Sequence, residues 1–264
     1  TVTASSVNNS QKTVQLTLVP DMLSAKPVTI TSPGYDYDAI ADGKDVIALT
    51  ATVKDDYGNA INQGDVNWKV IPAGNYHLSA NTQATNAQGK STVTIASEDV
   101  VACKAVATFN NVSLTSGTMR FIADVTTETV TDLTASKTTD IVAGKDVITL
   151  QATVKDASGN PVNNETVHWG TDNPGGTFQP SDSSNTDTNG VASVSYTATK
   201  AGPTVIGAGI NHSQQTVIVN IIGNVETAAL SNIKADKTKA VADNTELVTW
   251  SVTAKDANGN ILPG

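Results

Sequence analysis

The chain has 264 residues, 39% of them hydrophobic and 16% charged, which is enough for two domains with ordinary buried cores. Its 16 lysine and arginine residues face 25 aspartate and glutamate residues, giving a net charge of -9. This charge excludes nucleic acid as a main partner, because phosphate contacts need basic side chains. The single cysteine, Cys103, excludes an intramolecular disulfide.

Apolar stretches in this chain are short. The longest, such as residues 217–222, fall far short of the roughly 18 residues that a membrane-spanning helix needs, so we expect no such helix. No basic segment followed by an apolar one opens the chain. We therefore expect no signal peptide, and we interpret the abrupt ends as those of an excerpt from a longer protein.

Residues 1–24 match a later part of the chain. Residues 1–2, 10–11 and 13–14 recur at a constant offset of 203, as residue 1 against residue 204 shows. Because the later residues close a repeat, residues 1–24 are predicted to be the last strands of a preceding domain.

Residues 25–127 carry the pattern of a β-sandwich domain. Apolar residues at every second position predict a strand with one buried face: Ile47, Leu49, Ala51 and Val53. The turn at residues 55–59 follows, in which aspartate caps local amides and Gly58 accepts a positive φ. Trp68 is then predicted to be buried between two sheets, and Gln88–Gly89 predicts another turn.

Residues 128–228 repeat this domain. Residues 43–55 return as residues 144–156, an offset of 101 (144 against 43), and Trp169 stands at the same offset from Trp68. A period of this size is that of a domain, so the chain is predicted to be a string of domains. Trp169 should therefore be buried like Trp68.

Residues 229–264 begin a third copy, which runs from Leu247 to Asp256 and on to Gly259–Asn260. They are predicted to be the first strands of a further domain. Because residues 1–24 and 229–264 lack partner strands, we expect both to be mobile or to borrow a neighbour's strands. The fold predicted for the whole chain is all-β, with tandem β-sandwich domains.

Three motifs in the second copy carry a family resemblance: Asp-x-x-Gly-Asn-Pro-Val at residues 156–162, Val-x-Trp at residues 167–169 and Thr-Asp-x-x-Gly at residues 186–190. They resemble the bacterial immunoglobulin-like (Ig-like) repeats of the intimin/invasin adhesins. The resemblance implies that residues 25–127 and 128–228 are Ig-like domains, and that the all-β chain forms an elongated rod of tandem Ig-like β-sandwich domains. The first copy departs from the pattern, since residues 55–60 lack the proline. The resemblance implies a rod at the bacterial cell surface, extracellular and anchored at the outer membrane through an amino-terminal barrel domain absent from this chain.

The expected function is that of a stalk or display segment of a surface adhesin, supporting or mediating attachment to host cells or matrix. The expected partner is a host cell-surface or extracellular-matrix protein or glycan, and the segment itself is expected to be a monomer. One alternative is a spacer or binding module of a secreted polysaccharide-active enzyme. Another is cell–cell adhesion through calcium-bridged domains, which the absence of acidic clusters near residues 24 and 127 disfavours.

Little in the sequence indicates chemistry at a site. The three histidines show no paired spacing, and His168, beside Trp169 on its strand, should point to solvent. We expect no catalytic residue, no cofactor and no metal site. Four aspartates are interpreted as turn caps, with loose calcium ligands as the alternative: Asp55, Asp56, Asp156 and Asp256. Cys103 is expected to be a buried free thiol, with an intermolecular disulfide as the alternative.

Tyrosine is unevenly placed between the copies, and we take the tyrosines of the first domain as candidate ligand contacts. All four are expected in loops or turns: Tyr35, Tyr37, Tyr57 and Tyr76. Exposed tyrosines are enriched in interfaces. The alternative is that each packs over its own loop or against the preceding domain.

Overall fold

The computed structural model describes residues 1–32 and 38–263. They divide into two compact units, residues 1–122 and residues 123–264. No helix among these residues is long and apolar enough to cross a membrane.

The first unit is built from β-strands. In chain order they are β1 (Val2–Ser5), β2 (Gln11–Val14), β3 (Lys26–Thr31), β4 (Asp38–Ile40), β5 (Ile47–Lys54), β6 (Asp65–Ile71), β7 (Tyr76–Leu78), β8 (Thr82–Ala84), β9 (Lys90–Ser97), β10 (Val101–Phe109), β11 (Val112–Thr115) and β12 (Met119–Ile122). One sheet has the order β3-β5-β9-β7, and the other has the order β4-β12-β10-β6-β8 with β11 beside β10. β4 pairs with β12 in parallel.

The second unit repeats this arrangement. Its elements are β13 (Thr129–Ala135), β14 (Ile141–Val142), β15 (Ile148–Lys155), β16 (Thr166–Thr171), β17 (Gly176–Gln179), β18 (Ser183–Asn185), β19 (Val191–Ala198), β20 (Gly202–Ile210), β21 (Ser213–Ile222), a 3-10 helix (Val225–Thr227), β22 (Ala229–Ala235) and β23 (Trp250–Lys255). The sheet orders are β13-β15-β19-β17 and β14-β21-β20-β16-β18. The prediction of an all-β, Ig-like fold is confirmed.

Alternation along the strands places the core between the two sheets of each unit. In β5 every second side chain is buried, from Ile47 to Val53, and β15 repeats this from Ile148 to Val154. Trp68 and Trp169 are 4% and 5% exposed and belong to the two separate core clusters. Their predicted burial at equivalent places is confirmed, and His168 is exposed as predicted.

Two glycine turns differ in how tightly they are packed. Gly89 and Gly190 have φ of 73° and 74°, and a Cβ on either would lie 2.6 Å or 2.4 Å from a strand carbonyl oxygen. Gly58 and Gly159 also have positive φ, but a Cβ there would meet nothing within 4 Å.

The two ends of the chain form hairpin-like pairs. β1 pairs with β2, β22 pairs with β23, and neither pair is hydrogen-bonded to another sheet in the described part of the chain. Two apolar positions that are buried in β5 and β15 are exposed in β23, at Trp250 (70% exposed) and Val252 (52% exposed). The assignment of these ends to neighbouring domains stays a prediction.

Candidate functional site: the linkers and their turns

The residues that the sequence singled out as turn caps have a defined hydrogen-bonding role. Oδ1 of Asp156 accepts the backbone N–H groups of Ser158 and Asn160 at 2.9 and 2.8 Å. Oδ1 of Asp55 does the same for Tyr57 and Asn59, at 3.0 and 2.8 Å. These carboxylates hold the turn in shape, as expected of aspartate at such positions.

The second oxygen of each turn aspartate binds the linker that leads into the domain. Oδ2 of Asp55 accepts the backbone N–H of Asp21 at 3.0 Å. Oδ2 of Asp156 accepts that of Asp124 at 3.0 Å. In the third copy, Oδ2 of Asp256 accepts the N–H of Asn224 at the same distance. One carboxylate therefore joins a turn to a linker more than thirty residues away in the chain.

A hydroxyl group makes the return bond from linker to turn. Thr127 Oγ1 accepts the N–H of Ala157 at 3.2 Å, and Thr227 Oγ1 accepts that of Ala257 at 3.0 Å. Ser24 Oγ accepts the N–H of Asp56 at 3.3 Å. We call this pair of bonds the linker clasp.

Sequence reasoning missed the linker clasp, although its signal is present. The linkers read Asx-x-x-Ser/Thr at residues 21–24, 124–127 and 224–227. The pattern is short and consists of common residue types. Only the recurrence of the pattern in front of each copy of the domain distinguishes it from chance.

Hydrogen bonds of the clasp and its turn lower the pKa of two of the turn aspartates, Asp55 and Asp256. Desolvation alone would raise the pKa of Asp55, but hydrogen bonds from the Asn59 side chain and from nearby amides lower it below its usual value. The pKa of Asp256 is lowered by the same balance, with Asn260 and Asn224 as donors. Carboxylate oxygens that are already engaged by N–H groups are poorly placed to form a calcium cage. Among the described residues, no cluster of three or more histidine, cysteine or acidic side chains could hold a metal ion.

Glu128 is the unusual residue of the second linker. It is 7% exposed, one carboxylate oxygen accepts from the Asn211 amide, and the other has no hydrogen-bond partner. Burial, followed by the charge of Glu165, raises the pKa of Glu128. In the first domain, Ala25 takes the place of Glu128 and carries no charge. Asn110 takes the place of Asn211, and its side-chain amide donates to the linker carbonyl oxygens of Met22 and Ala25.

Of the four candidate tyrosines, the structure describes Tyr57 and Tyr76. Tyr57 is 83% exposed in its turn, as predicted, whereas Tyr35 and Tyr37 lie outside the described residues. The loop position predicted for Tyr76 is wrong, because Tyr76 begins β7 and packs against the core. A three-residue strand carries too little alternation to be detected from sequence. In the second unit Gly176 takes its place, and the ring of Tyr196, from β19, lies where a side chain on Gly176 would be.

Cys103 is 2% exposed, so the expected burial of this thiol is confirmed. It lies beside the Tyr76 phenol, and burial raises its pKa. A raised pKa keeps the thiol neutral and unreactive.

A model of the bacterial Ig-like domain (group 1) matches residues 34–122 and 130–222. The chain belongs to this family. The sandwich topology, the repeated turns and the buried tryptophans described above are the features that the two matched regions share.

Two adhesins of Escherichia coli are similar in sequence. The inverse autotransporter adhesin YeeJ of strain K12 is 31% identical over 276 aligned residues, which take in 100% of this chain and 11% of that protein. Intimin of strain O127:H6 is 36% identical over 179 residues, 66% of this chain and 18% of intimin. The chain thus spans less than a fifth of either relative, and the predicted resemblance to the intimin/invasin repeats is confirmed.

A solved structure of the Escherichia coli adhesin FdeC has the same fold. It superposes with a TM-score of 0.61 at 16% identity, covering 95% of this chain and 79% of that one. At this level of identity the similarity concerns the fold alone.

Proposed function

We propose that this chain is a stalk segment of a bacterial surface adhesin, which extends a binding region away from the cell and supports attachment to host cells or matrix. The observation that carries the proposal is the tandem repeat of a family found in named adhesins, with the same clasp at each linker. The clasp holds each linker against the domain that follows it, so less of the linker is free, as a stalk requires. No catalytic role is proposed for any residue.

The parent protein is proposed to lie at the bacterial cell surface, anchored at the outer membrane, with this segment extracellular and monomeric. Its proposed partner is a host cell-surface or matrix protein or glycan, reached either by this segment or by a region beyond it. Tyr57 is the described candidate for direct contact, because a large exposed ring with a polar tip suits an interface. Tyr35, Tyr37 and Tyr76 remain candidates in the same domain.

Replacing this segment within the full-length adhesin distinguishes a role as a spacer from a role in direct binding. Exchanging residues 25–228 for two unrelated Ig-like domains should preserve attachment of bacteria to epithelial cells, whereas deleting them should reduce it. If the exchange abolishes attachment, and if purified chain competes with the unaltered bacteria for the host cells, the segment binds directly. The variant Tyr57→Ala then tests the proposed contact.

The alternative, a module of a polysaccharide-active enzyme, predicts a different result. Purified chain should then bind insoluble or arrayed polysaccharides. The similar proteins are adhesins, which favours the stalk hypothesis. Polysaccharide binding by the purified chain, without any effect of the segment on bacterial attachment, would favour the alternative.

A further inference from the structure

Within the second unit, the turn of the third copy contacts the loop that joins β19 to β20. Asn260 Nδ2 donates to the carbonyl oxygen of Thr199 at 2.9 Å, and Asn260 Oδ1 accepts the backbone N–H of Ala201 at 2.9 Å. The carboxamide thus pairs with one backbone acceptor and one backbone donor, two residues apart. Asn260 is 8% exposed, so these bonds are shielded from water.

Further contacts join the same end of the second domain to the linker and the turn of the third copy. Lys200 Nζ donates to the carbonyl oxygen of Asn258 at 3.2 Å. Lys145 pairs with Glu226 of the linker at 2.6 Å. Gly144 has φ of 70°, and a Cβ there would lie 2.6 Å from Asn258 Nδ2, so the turn approaches the backbone closely.

Asn260 therefore has two tasks. It holds its own turn by donating to Asp256 Oδ2 at 2.8 Å, and it binds the preceding loop. Asn59, at the same place in the first domain, makes the bond within the turn, to Asp55 at 2.9 Å. Asn59 is exposed, and its side chain has no further hydrogen-bond partner in the described structure. Comparing Asn59 with Asn260 therefore distinguishes the hydrogen bond that holds the turn from the hydrogen bonds to the preceding loop.

We infer that the turn at residues 256–260 is a docking surface for the far end of a preceding Ig-like domain, and that Asn260 recognises the backbone of its loop. Because the Asn260 carboxamide forms hydrogen bonds with a backbone carbonyl and a backbone N–H group, it recognises the backbone shape of the loop rather than the loop's side chains. Repeats with different loop sequences can then dock in the same way. The inference rests on the stalk proposal only for its biological purpose.

Amide hydrogen exchange, measured by NMR on the whole chain, tests this directly. In Asn260→Ala the Ala201 amide should exchange about fivefold to tenfold faster, because its acceptor is lost. The matched control Asn59→Ala should leave Ala201 unchanged, although it removes the same bond within a turn. Ala201→Ser, which alters a loop side chain without removing a hydrogen bond between loop and turn, should change the rate by less than about twofold.

A second variant acts from the other side, in case Asn260→Ala unfolds the turn. Faster exchange of the Leu262 amide, which donates to the Ala254 carbonyl oxygen at 3.0 Å, would show such unfolding. Ala201→Pro removes the N–H donor and leaves the turn sequence intact. Backbone ¹⁵N relaxation should then show greater mobility of β22 and β23. Unchanged Ala201 exchange in Asn260→Ala, or unchanged relaxation in Ala201→Pro, would overturn the inference. Neither result depends on bacterial attachment, so the stalk proposal can fail separately.

Discussion

At the scale of single residues, the two domains satisfy the same need with different side chains. Trp68 Nε1 donates to Ser91 Oγ on β9 of the opposite sheet, whereas Trp169 Nε1 donates to Ser184 Oγ on the neighbouring strand β18, both at 3.0 Å. Ala192 replaces the first serine in the second domain, and Gln83 replaces the second in the first. A buried indole N–H needs an acceptor, but that acceptor can come from either sheet.

Removing these acceptors should destabilise each domain. Ser91→Ala and Ser184→Ala should each lower the free energy of unfolding by about 1–3 kcal/mol, with the larger loss for the fully buried Ser91. Urea unfolding measures this, with the exposed Ser193→Ala as control. If Ser91→Ala is as neutral as the control, the indole bond contributes no stability.

Glu128 makes the second unit sensitive to pH. Its pKa is raised in the folded state, so its ionised form opposes folding at neutral pH, and the penalty is relieved as pH falls through that raised value. Glu128→Gln, which keeps an oxygen for the Asn211 amide, should raise the Tm at pH 7 by a few degrees. The gain should shrink towards pH 4. Asp132→Asn removes one exposed charge and controls for net charge; an equal gain from it would contradict the argument.

At the scale of elements, the long strands could be predicted from sequence because their alternation is strong. β5 and β15 follow the predicted pattern residue by residue. The strands β7 and β8 could not be predicted, because three residues are too few to show an alternating pattern. The linker clasp was also missed, because its bonds join residues 30 to 34 positions apart, beyond any local pattern.

The two kinds of glycine turn should respond differently to alanine. Gly190→Ala combines a positive φ with a collision against the Val154 carbonyl oxygen, whereas Gly159→Ala meets open space. Gly159→Ala should cost about 1–2 kcal/mol for its backbone conformation alone, and Gly190→Ala clearly more. Thermal unfolding compares them directly, and equal losses would mean that the chain relaxes away from the carbonyl.

At the scale of the whole molecule, we expect the joints between domains to be independent of calcium. The carboxylates at the linkers already accept N–H groups, so calcium should bind at millimolar concentration at best. A chelator should leave the Tm and the radius of gyration from solution scattering unchanged. A fall in either that calcium reverses would mean that Asp55, Asp56 and Asp156 are ligands.

Both ends of the chain should exchange amide protons faster than the two sandwiches. β1, β2, β22 and β23 each pair with one strand and lack an opposing sheet in the described structure, so few apolar contacts resist their opening. Hydrogen exchange on a dilute sample should show this difference. Protection at the ends equal to that of β5 and β15 would contradict it.

The linker clasp has a consequence for how such chains lengthen by duplication. Each linker is bonded to the domain that follows it, so the unit copied intact begins at Asp21, Asp124 or Asn224 rather than at the first strand. A gene segment that begins at one of these residues encodes both the linker and the turn of its clasp. It can therefore be inserted anywhere in the series of repeats. A cut four residues later would leave a turn carboxylate without its linker amide in every new copy.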